Sequence, residues 1–346
     1  MTKSCHLRPF PSRSATDADY AAWTDLTNRE HYESRPDDPP SSVDLNRRSL
    51  QSRPDFEDSH HWVVEDADGR FLARGTAARW LIDTNQHLGA LSLYVLPEYR
   101  QQGLAKQMLE PITAMLEGWG KALAMAETVD RIPTGNAFME RLGGELGQKM
   151  EINQLDLTGL DPTLLQDWLA LPAQRAPGYR LEWHVGPYPD ALYPELVQVK
   201  EAINLMPRGD LAVEDVHFTE EHLRQMEASL AARGTQRWTL LVRAPEAGEV
   251  AGYTEMYWNP EKPALLYQGD TAVFPQHQNR GLGRWLKAAM LDRLGTDRPE
   301  GRFVRTGNAS SNAPMLKINH ELGFDLYLTQ SEWQVPVANL RRYLTG

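Results

Sequence analysis

The chain has 346 residues, of which 41% are hydrophobic and 24% charged, a composition typical of globular domains rather than of disordered chains. Its formal charge of −11 at pH 7 argues against a protein that binds the phosphates of nucleic acids. The single cysteine, Cys5, excludes an intrachain disulfide and a cysteine-based zinc site. A chain of this length predicts about two domains.

The first half of the chain predicts helices followed by a run of antiparallel strands. Asp68-Gly69 is typical of the turn between two paired strands. In chain order we predict a strand at 6–10, helices at 17–31 and 43–53, and strands at 62–65, 71–80 and 88–95.

The second half predicts the same order of elements. A strand comes first, two helical stretches follow it, and three strands lead to another loop and helix. We predict a strand at 180–185, helices at 190–206 and 219–233, and strands at 238–243, 250–258 and 265–273.

Two segments 178 residues apart repeat one pattern: a strand, a proline, and a glycine-containing loop that begins an amphipathic helix. Pro97 and Gly103 in the first segment match Pro275 and Gly281 in the second. A repeat of this length indicates two copies of one domain rather than a solenoid. We therefore predict domains at 1–157 and 179–346, each an α+β unit with a mixed, largely antiparallel sheet flanked by helices.

The segment between the two copies, 158–178, is predicted to be a linker. Asp161-Pro162 is typical of a helix start, with Asp as the N-cap and Pro at the first helical position. Pro172 and the Ala-Pro-Gly run at 176–178 are expected to end this short helix. The net charge is −9 over residues 1–173 and −2 over 174–346, so the second half is the better host for an anionic ligand.

The loop before each repeated helix is suited to bind an anion. Its glycines let backbone approach a ligand, and the first helical turn offers unpaired N–H groups at the positive end of the helix dipole. The loop is not a Walker A loop, because the Gly-x-x-x-x-Gly-Lys-[Ser/Thr] pattern is absent. It is not the dinucleotide fingerprint either, because Leu286 occupies the place of the third glycine.

Both loops resemble the [Gln/Arg]-x-x-Gly-x-[Gly/Ala] signature of the GNAT acetyltransferase superfamily. The second copy reads QNRGLG at 278–283 and the first reads RQQGLA at 100–105. The second copy also carries QGDT at 268–271, NAPM at 312–315 and LGF at 322–324. The whole chain is similar to proteins with two tandem GNAT domains.

The resemblance implies an N-acetyltransferase that moves an acetyl group from acetyl-CoA to a primary amine of a small molecule or peptide. Direct attack is expected in the second domain. In the family, the strand before the loop splays from its neighbour and pairs with the pantetheine, and backbone N–H groups of the loop hold the pyrophosphate. The residues expected to contact acetyl-CoA are Thr271, Ala272, Val273, Gln278, Arg280, Gly281, Leu282, Gly283, Arg284, Asn312 and Asn319 in the second copy, and Val95, Gln102, Gly103, Ala105 and Lys106 in the first.

The catalytic groups depart from the family pattern. Many members have a tyrosine at the position of Asn319, which gives its proton to the leaving thiolate; Asn319 lacks such a proton and is expected to hydrogen-bond the sulfur instead. For the general base the sequence leaves three candidates, Glu255, Asp270 and Tyr267, the last at a place where some members carry glutamate. The apolar and aromatic neighbours of Glu255 are expected to raise its pKa toward neutrality.

The first copy lacks more of the pattern, with Ile132 and Met139 at the Asn and Tyr positions. We expect it to bind a CoA-like ligand without catalysing. Two other functions stay open: a CoA-binding sensor or assembly protein, and an acyltransferase that uses another donor. No metal site is predicted, and we expect a cytoplasmic protein that binds neither nucleic acid nor membrane, as a monomer acting as an internal pseudo-dimer or as a homodimer.

Overall fold

A computed structural model describes residues 5–246 and 248–346. By its internal contacts the chain divides into two compact units. Unit 1 consists of the described residues of Met1–Lys149, Arg208–Asp215 and Gln330–Gly346. Unit 2 consists of those of Met150–Pro207 and Val216–Thr329. Among the described helices, none combines the length and the apolar run that a membrane crossing requires.

The helices and strands of the first half lie close to where the sequence predicts them. They are β1 (His6–Phe10), α1 (Asp17–Ser34), α2 (Val43–Gln51), β2 (Glu57–Glu65), β3 (Phe71–Trp80), β4 (Leu88–Val95), α3 (Leu104–Gly118), β5 (Leu123–Val129), α4 (Pro133–Arg141) and β6 (Glu145–Asp156). Helix α1 begins where it does because the Thr16 side chain and Asp19 cap each other's backbone N–H groups.

The second half repeats this order. Its elements are α5 (Pro162–Arg175), β7 (Arg180–Val185), α6 (Tyr193–Lys200), α7 (Glu220–Ala232), β8 (Gln236–Arg243), β9 (Val250–Trp258), β10 (Leu265–Val273), α8 (Leu282–Asp297), β11 (Phe303–Ala309), α9 (Ala313–Glu321), β12 (Asp325–Pro336) and α10 (Val337–Thr345). The helix predicted at 190–206 is α-helical only in α6, with 3₁₀ turns on both sides.

Helix α5 lies in the segment predicted as a linker. Asp161 caps it as expected, accepting a hydrogen bond from the Thr163 N–H at 2.8 Å. The helix ends at Arg175, directly before the Ala-Pro-Gly run as predicted, but the prediction that Pro172 helps to end it is wrong. The carbonyl of Pro172 still accepts the Ala176 N–H at 3.1 Å, so the last turn continues past the proline. Trp168 of this helix is buried in the core of unit 2.

Each unit is built on a mixed sheet, which confirms the predicted α+β class. The strand order is β1-β2-β3-β4-β5-β12 in unit 1 and β6-β11-β10-β9-β8-β7 in unit 2. One neighbouring pair in each sheet is parallel, β4 with β5 and β10 with β11. The other pairs described in each unit are antiparallel.

The last strand of each sheet comes from the other half of the sequence. Residues 330–336 of β12 pair with β5 in unit 1, and residues 150–156 of β6 pair with β11 in unit 2. The compact units therefore differ from the contiguous segments 1–157 and 179–346 that the repeat predicts. A repeat shows which segments resemble each other, whereas the choice of pairing partner depends on tertiary contacts.

Helices pack apolar side chains on the sheets, in one cluster in unit 1 and in two separate clusters in unit 2. In unit 1, α3 packs on the sheet through Met108 and Ile112. In unit 2, successive residues of β9 point to opposite sides, so that Met256 packs with α8 and α5 while Tyr253 packs with α6. The second of these faces carries the polar side chains described below.

The strand pairing makes a testable prediction about Trp333, which is buried and donates a hydrogen bond to Thr128 at 2.8 Å. Trp333→Ala should destabilise unit 1 by about 3–5 kcal/mol through the cavity it leaves. Hydrogen exchange should then speed up in β4 and β5 but not in β9 and β10. Phe324→Ala, in the core of unit 2, should give the reverse pattern. Faster exchange of β9 and β10 in Trp333→Ala would contradict the assignment of this strand.

Candidate functional site

A gap opens in the sheet of unit 2 between β10 and β11. The two parallel strands pair only over Leu265–Tyr267, where Tyr267 lies opposite Arg305. Beyond this point β11 remains paired with β6 as far as Ala309, and β10 continues to Val273 beside β9. The backbone of β10 after Tyr267 thus has no ladder partner in the described part of β11. An exposed strand edge of this kind can pair with an extended ligand.

The loop after β10 leaves the start of α8 without a side-chain cap. Gly281, the N-cap residue, has a φ of 81°, and Asn279 has a φ of 61°. These left-handed conformations turn the backbone so that α8 begins at Leu282, and they favour glycine at position 281. The first-turn N–H groups of α8 are therefore left for a ligand or solvent.

The first residue of the signature fastens this loop to the end of the strand. The Gln278 side chain donates a hydrogen bond to the carbonyl of Val273 at 3.0 Å. In unit 1, Arg100 donates to the carbonyl of Val95 at the same distance. Since glutamine and arginine both donate through a side-chain nitrogen, this contact explains why either residue suits the position.

The loop of unit 1 has the same backbone form. Gln101 has a φ of 60° and Gly103 a φ of 83°, and no side chain caps the start of α3. Strand β4 pairs with β5 only from Leu88 to Ala90, so a gap opens in this sheet as well. Among the residues predicted to bind in unit 1, Val95 accepts the Arg100 hydrogen bond and Gln102 donates to the Glu98 carbonyl at 3.0 Å. The predicted contacts of Ala105 and Lys106 with a ligand stay predictions.

A β-bulge distinguishes the site in unit 2. The register between β9 and β10 shifts between Gln268 and Thr271, so that β10 contains one extra residue. As a result Gly269 and Asp270 both lie on the α6 side of the sheet. A Cβ atom on Gly269 would lie only 2.7 Å from the ring of Tyr257, so the bulge needs a glycine there. In unit 1 the register from Ala73 to Ala78 runs without a shift.

Glu255 lies on the same face in β9 and is fully buried. Its carboxylate accepts hydrogen bonds from Lys200 at 2.5 Å and from Tyr188 and Tyr257 at 3.0 Å each. Burial alone would raise the pKa of Glu255, but the charge and hydrogen bond of Lys200, the charge of Arg237 and the hydrogen bond from Tyr188 together outweigh burial, and the pKa is lowered. The expectation that its neighbours raise this pKa toward neutrality is therefore wrong.

Asp270 is the more accessible carboxylate, with 34% of its side chain exposed. Tyr253 donates a hydrogen bond to it at 3.2 Å, and the ammonium of Lys200 lies 3.8 Å away. Burial of its carboxyl group raises the pKa of Asp270, against the opposing charge of Lys200. A carboxylate with a raised pKa beside a gap in the sheet is suited to accept a proton.

The neighbouring predicted residues take up different positions. Tyr267 lies opposite Tyr257 in the register, on the same face as Asp270, and is 46% exposed. Thr271 shares a 2.7 Å hydrogen bond with Thr254. Ala272 and Val273 lie on opposite faces, where they pack against separate apolar clusters.

Two predicted asparagines lie at α9. The Asn312 side chain caps this helix by accepting the Met315 N–H at 3.3 Å. Asn319 is fully buried and donates to the Asn308 side chain of β11 at 2.7 Å. Its own Oδ1 atom has no hydrogen-bond partner in the described chain. A buried acceptor of this kind suits a ligand N–H group, because buried polar atoms are rarely left unpaired.

The two arginines of the loop have protein partners. Arg284 makes a two-point salt bridge with Glu321, and Arg280 lies 5.9 Å from the ring of Tyr179. Arg175 of α5, which no sequence motif indicated, donates to the carbonyl of Asn279 at 3.2 Å. The apolar spacing of α5 was the available signal that this segment packs against a domain.

The sequence also did not predict that a lysine of α8 is buried against β10. Lys287 of α8 is 1% exposed and donates to the side chain of Gln268 at 2.8 Å, and Gln268 donates to Thr254 at 3.0 Å. These bonds hold β10 to α8 at the residue that precedes the bulge. Burial lowers the pKa of Lys287 to about 7.

The depressed pKa of Lys287 predicts a pH-dependent stability. Between pH 7 and 10 the unfolded chain keeps a proton on this lysine that the folded chain releases, so wild-type stability rises with pH in this range. Lys287→Met removes this effect. Relative to wild type, its free energy of unfolding should rise by up to about 1.4 kcal/mol per pH unit as the pH falls from 10 to 7. Urea denaturation at three pH values measures this, with the exposed Lys317→Met as control; equal slopes for Lys287→Met and wild type would contradict the prediction.

Both halves of the chain match models of known protein families. Residues 57–143 match the family described as "Acetyltransferase (GNAT) domain", and residues 207–324 match "Acetyltransferase (GNAT) family". A comparison with curated proteins finds no match.

Among solved structures, the chain is similar to a tandem GNAT protein from the clavulanic acid biosynthesis pathway, solved without AcCoA. The identity is 23% and the TM-score 0.79, over 96% of this chain and 99% of that one. A GCN5-related N-acetyltransferase from Sphaerobacter thermophilus is 14% identical with a TM-score of 0.68, over 96% of both chains. N-myristoyltransferase from Saccharomyces cerevisiae, with bound myristoyl-CoA, is 11% identical with a TM-score of 0.57, over 97% of this chain and 79% of that one. These likenesses show the fold.

Proposed function

Because the chain belongs to the GNAT acetyltransferase family, with two tandem domains, and is an N-acetyltransferase, we propose that unit 2 carries out the transfer. The donor is acetyl-CoA, and the acceptor is a primary amine of a small molecule or peptide. The observation that carries this proposal is the place of Asp270, in the β10 bulge beside the gap between β10 and β11.

The residues around the gap fit a CoA thioester. The free edge of β10 at Thr271–Val273 suits the amides of pantetheine, and the uncapped start of α8 suits its pyrophosphate. The orphaned Oδ1 of buried Asn319 offers a further acceptor on the α9 side of β11. Acetyl-CoA supplies the activated acetyl group when bound. The residues proposed to hold it in unit 2 are Thr271, Ala272, Val273, Gln278, Arg280, Gly281, Leu282, Gly283, Arg284, Asn312 and Asn319.

Asp270 is proposed as the general base. An amine attacks a thioester only in its neutral form, so a proton must leave the attacking nitrogen. Asp270 accepts this proton while the C–N bond forms and the C–S bond breaks, and the thiolate departs. A covalent acetyl-enzyme is not proposed, since the chain's one cysteine, Cys5, lies in unit 1.

The other two candidate residues take supporting roles in this proposal. Glu255 is buried and fully engaged by hydrogen-bond donors, so it supplies a fixed negative charge rather than a free base. Tyr267 is half-exposed on the same face as Asp270 and lines the approach of the acceptor amine.

Unit 1 is proposed to bind a CoA-like ligand without catalysing. It keeps the loop form, but its pairing of β3 with β4 runs without a bulge from Ala73 to Ala78, and β4 has no carboxylate. The corresponding face is instead filled by side chains that pair with each other. Arg74 binds Glu30 at 2.7 Å and Ser92 at 3.2 Å, and Thr76 shares a 2.8 Å hydrogen bond with buried His61.

Removal of the proposed base tests the assignment. Asp270→Asn should lower kcat/KM for amine acetylation by about 10²–10⁴-fold, because a general base contributes that much. The affinity for CoA should stay within about threefold, since the loop is untouched. Thiol release from acetyl-CoA across a panel of amines measures the rate, and longer acyl-CoAs test the donor. Exposed Asp292→Asn on α8 is the matched control. Full activity in Asp270→Asn would refute the assignment.

The two loops can be tested separately in the full chain. Gly281→Val should abolish acetyl transfer, because a β-branched residue is strained at the positive φ of this position. Gly103→Val should keep turnover by unit 2 and lower the number of CoA sites seen by calorimetry from two to one. Loss of turnover in Gly103→Val would show that unit 1 takes part in the transfer.

A further inference from the structure

The ammonium of Lys200 lies between the two carboxylates on the α6 side of unit 2. Its Nζ atom is 2.5 Å from Oε2 of Glu255 and 3.8 Å from Oδ2 of Asp270. Only 11% of its side chain is exposed, and it lies over the ring of Tyr253 at 5.2 Å. We propose that Lys200, shared between Glu255 and Asp270, keeps Asp270 ionised for proton acceptance and is a positioning residue of the transfer. This inference rests on the proposed function of Asp270.

Glu255 has no free side from which to act on a substrate. Its Oε1 atom accepts from Tyr188 at 3.0 Å and from Thr239 at 3.4 Å, and its Oε2 atom accepts from Tyr257 at 3.0 Å besides Lys200. A buried carboxylate with this many donors stays charged. Its charge is balanced by the ammonium at the end of α6, and burial of the lysine side chain over the ring of Tyr253 keeps that ammonium beside both carboxylates.

The groups that face Asp270 come from several elements. Lys200 comes from α6, and Tyr253, Glu255 and Tyr257 come from β9, while Tyr267 lies on β10 itself. Arg237 of β8 is turned toward Glu227 of α7 and toward the ring of Tyr188, 3.5 Å away. Within the described chain, Lys200 is therefore the cation that the structure places within 4 Å of Asp270.

This arrangement balances the charge on the proposed base. Two neighbouring carboxylates do not both stay ionised in a buried site unless a cation lies between them. Lys200 favours the ionised form of Asp270, whereas burial and the charge of Glu255 favour the protonated form. Removing either partner of the Lys200–Glu255 pair should therefore shift the ionisation of Asp270 in opposite directions.

The test is the pH dependence of kcat/KM in the full chain with acetyl-CoA and an amine that wild type accepts. Lys200→Met should move the midpoint of the acidic limb to a pH at least about one unit higher. At pH values below that midpoint, kcat/KM should then be about tenfold lower than that of wild type. Glu255→Gln should move the limb down, because Lys200 then acts on Asp270 alone. The double variant should lie between the two, and Lys200→Arg, which keeps the charge, should stay near wild type.

The controls separate a structural effect from the proposed one. Lys317→Met, an exposed lysine of α9, should leave the profile in place. Lys200→Met leaves Glu255 buried without its cation; if it fails to fold, the double variant and Glu255→Gln still carry the test. A profile that does not move in Glu255→Gln, or that moves the same way in both single variants, would overturn the role of Lys200. Asp270→Asn is assayed beside these variants. If the role of Lys200 is overturned but Asp270→Asn is inactive, Asp270 remains the proposed base. If Asp270→Asn is active, the proposed function of Asp270 is refuted together with the role of Lys200.

Discussion

The site in unit 2 depends on one constraint, the early end of pairing between β10 and β11. Hydrogen bonding stops at Tyr267 because β11 stays with β6 while β10 follows β9. The gap exposes one edge of β10, and the loop after this strand leaves the start of α8 uncapped. The buried bond between Lys287 and Gln268 fastens β10 to α8 at the point where the strands part. The unfavourable burial of this lysine therefore occurs beside the gap.

The same early separation occurs in unit 1, yet the two units differ in chemistry. Both loops share their backbone form, since Gly103 and Gly281 have nearly the same φ. The difference lies in the bulge, which brings Asp270 onto the face that already carries Glu255 and Lys200. An uncapped helix start after a glycine-containing loop is therefore common to both units, whereas the carboxylate in the β10 bulge beside the gap belongs to unit 2.

The local structure could be predicted because it depends on neighbouring residues. The bounds of β3, β4, β9 and β10 follow from their apolar patterns, and the loop follows from its glycines. The partners of β6 and β12 could not be predicted, because a strand with one apolar face can complete either of two similar sheets. The pKa direction of Glu255 was predicted wrongly because its cation, Lys200, lies 55 residues away in the sequence.

The sequence alone determined the family, the two copies, the α+β class and the position of the two glycine-containing loops, since each depends on short-range patterns of residue type. It also contained Glu255, Asp270 and Tyr267 as candidates without a means to rank them. Only the tertiary structure separated the saturated, buried carboxylate from the accessible one in the bulge. The physical reason is that the ionisation of a carboxyl group depends on burial and on charges within a few ångströms, and both are decided by packing between distant segments.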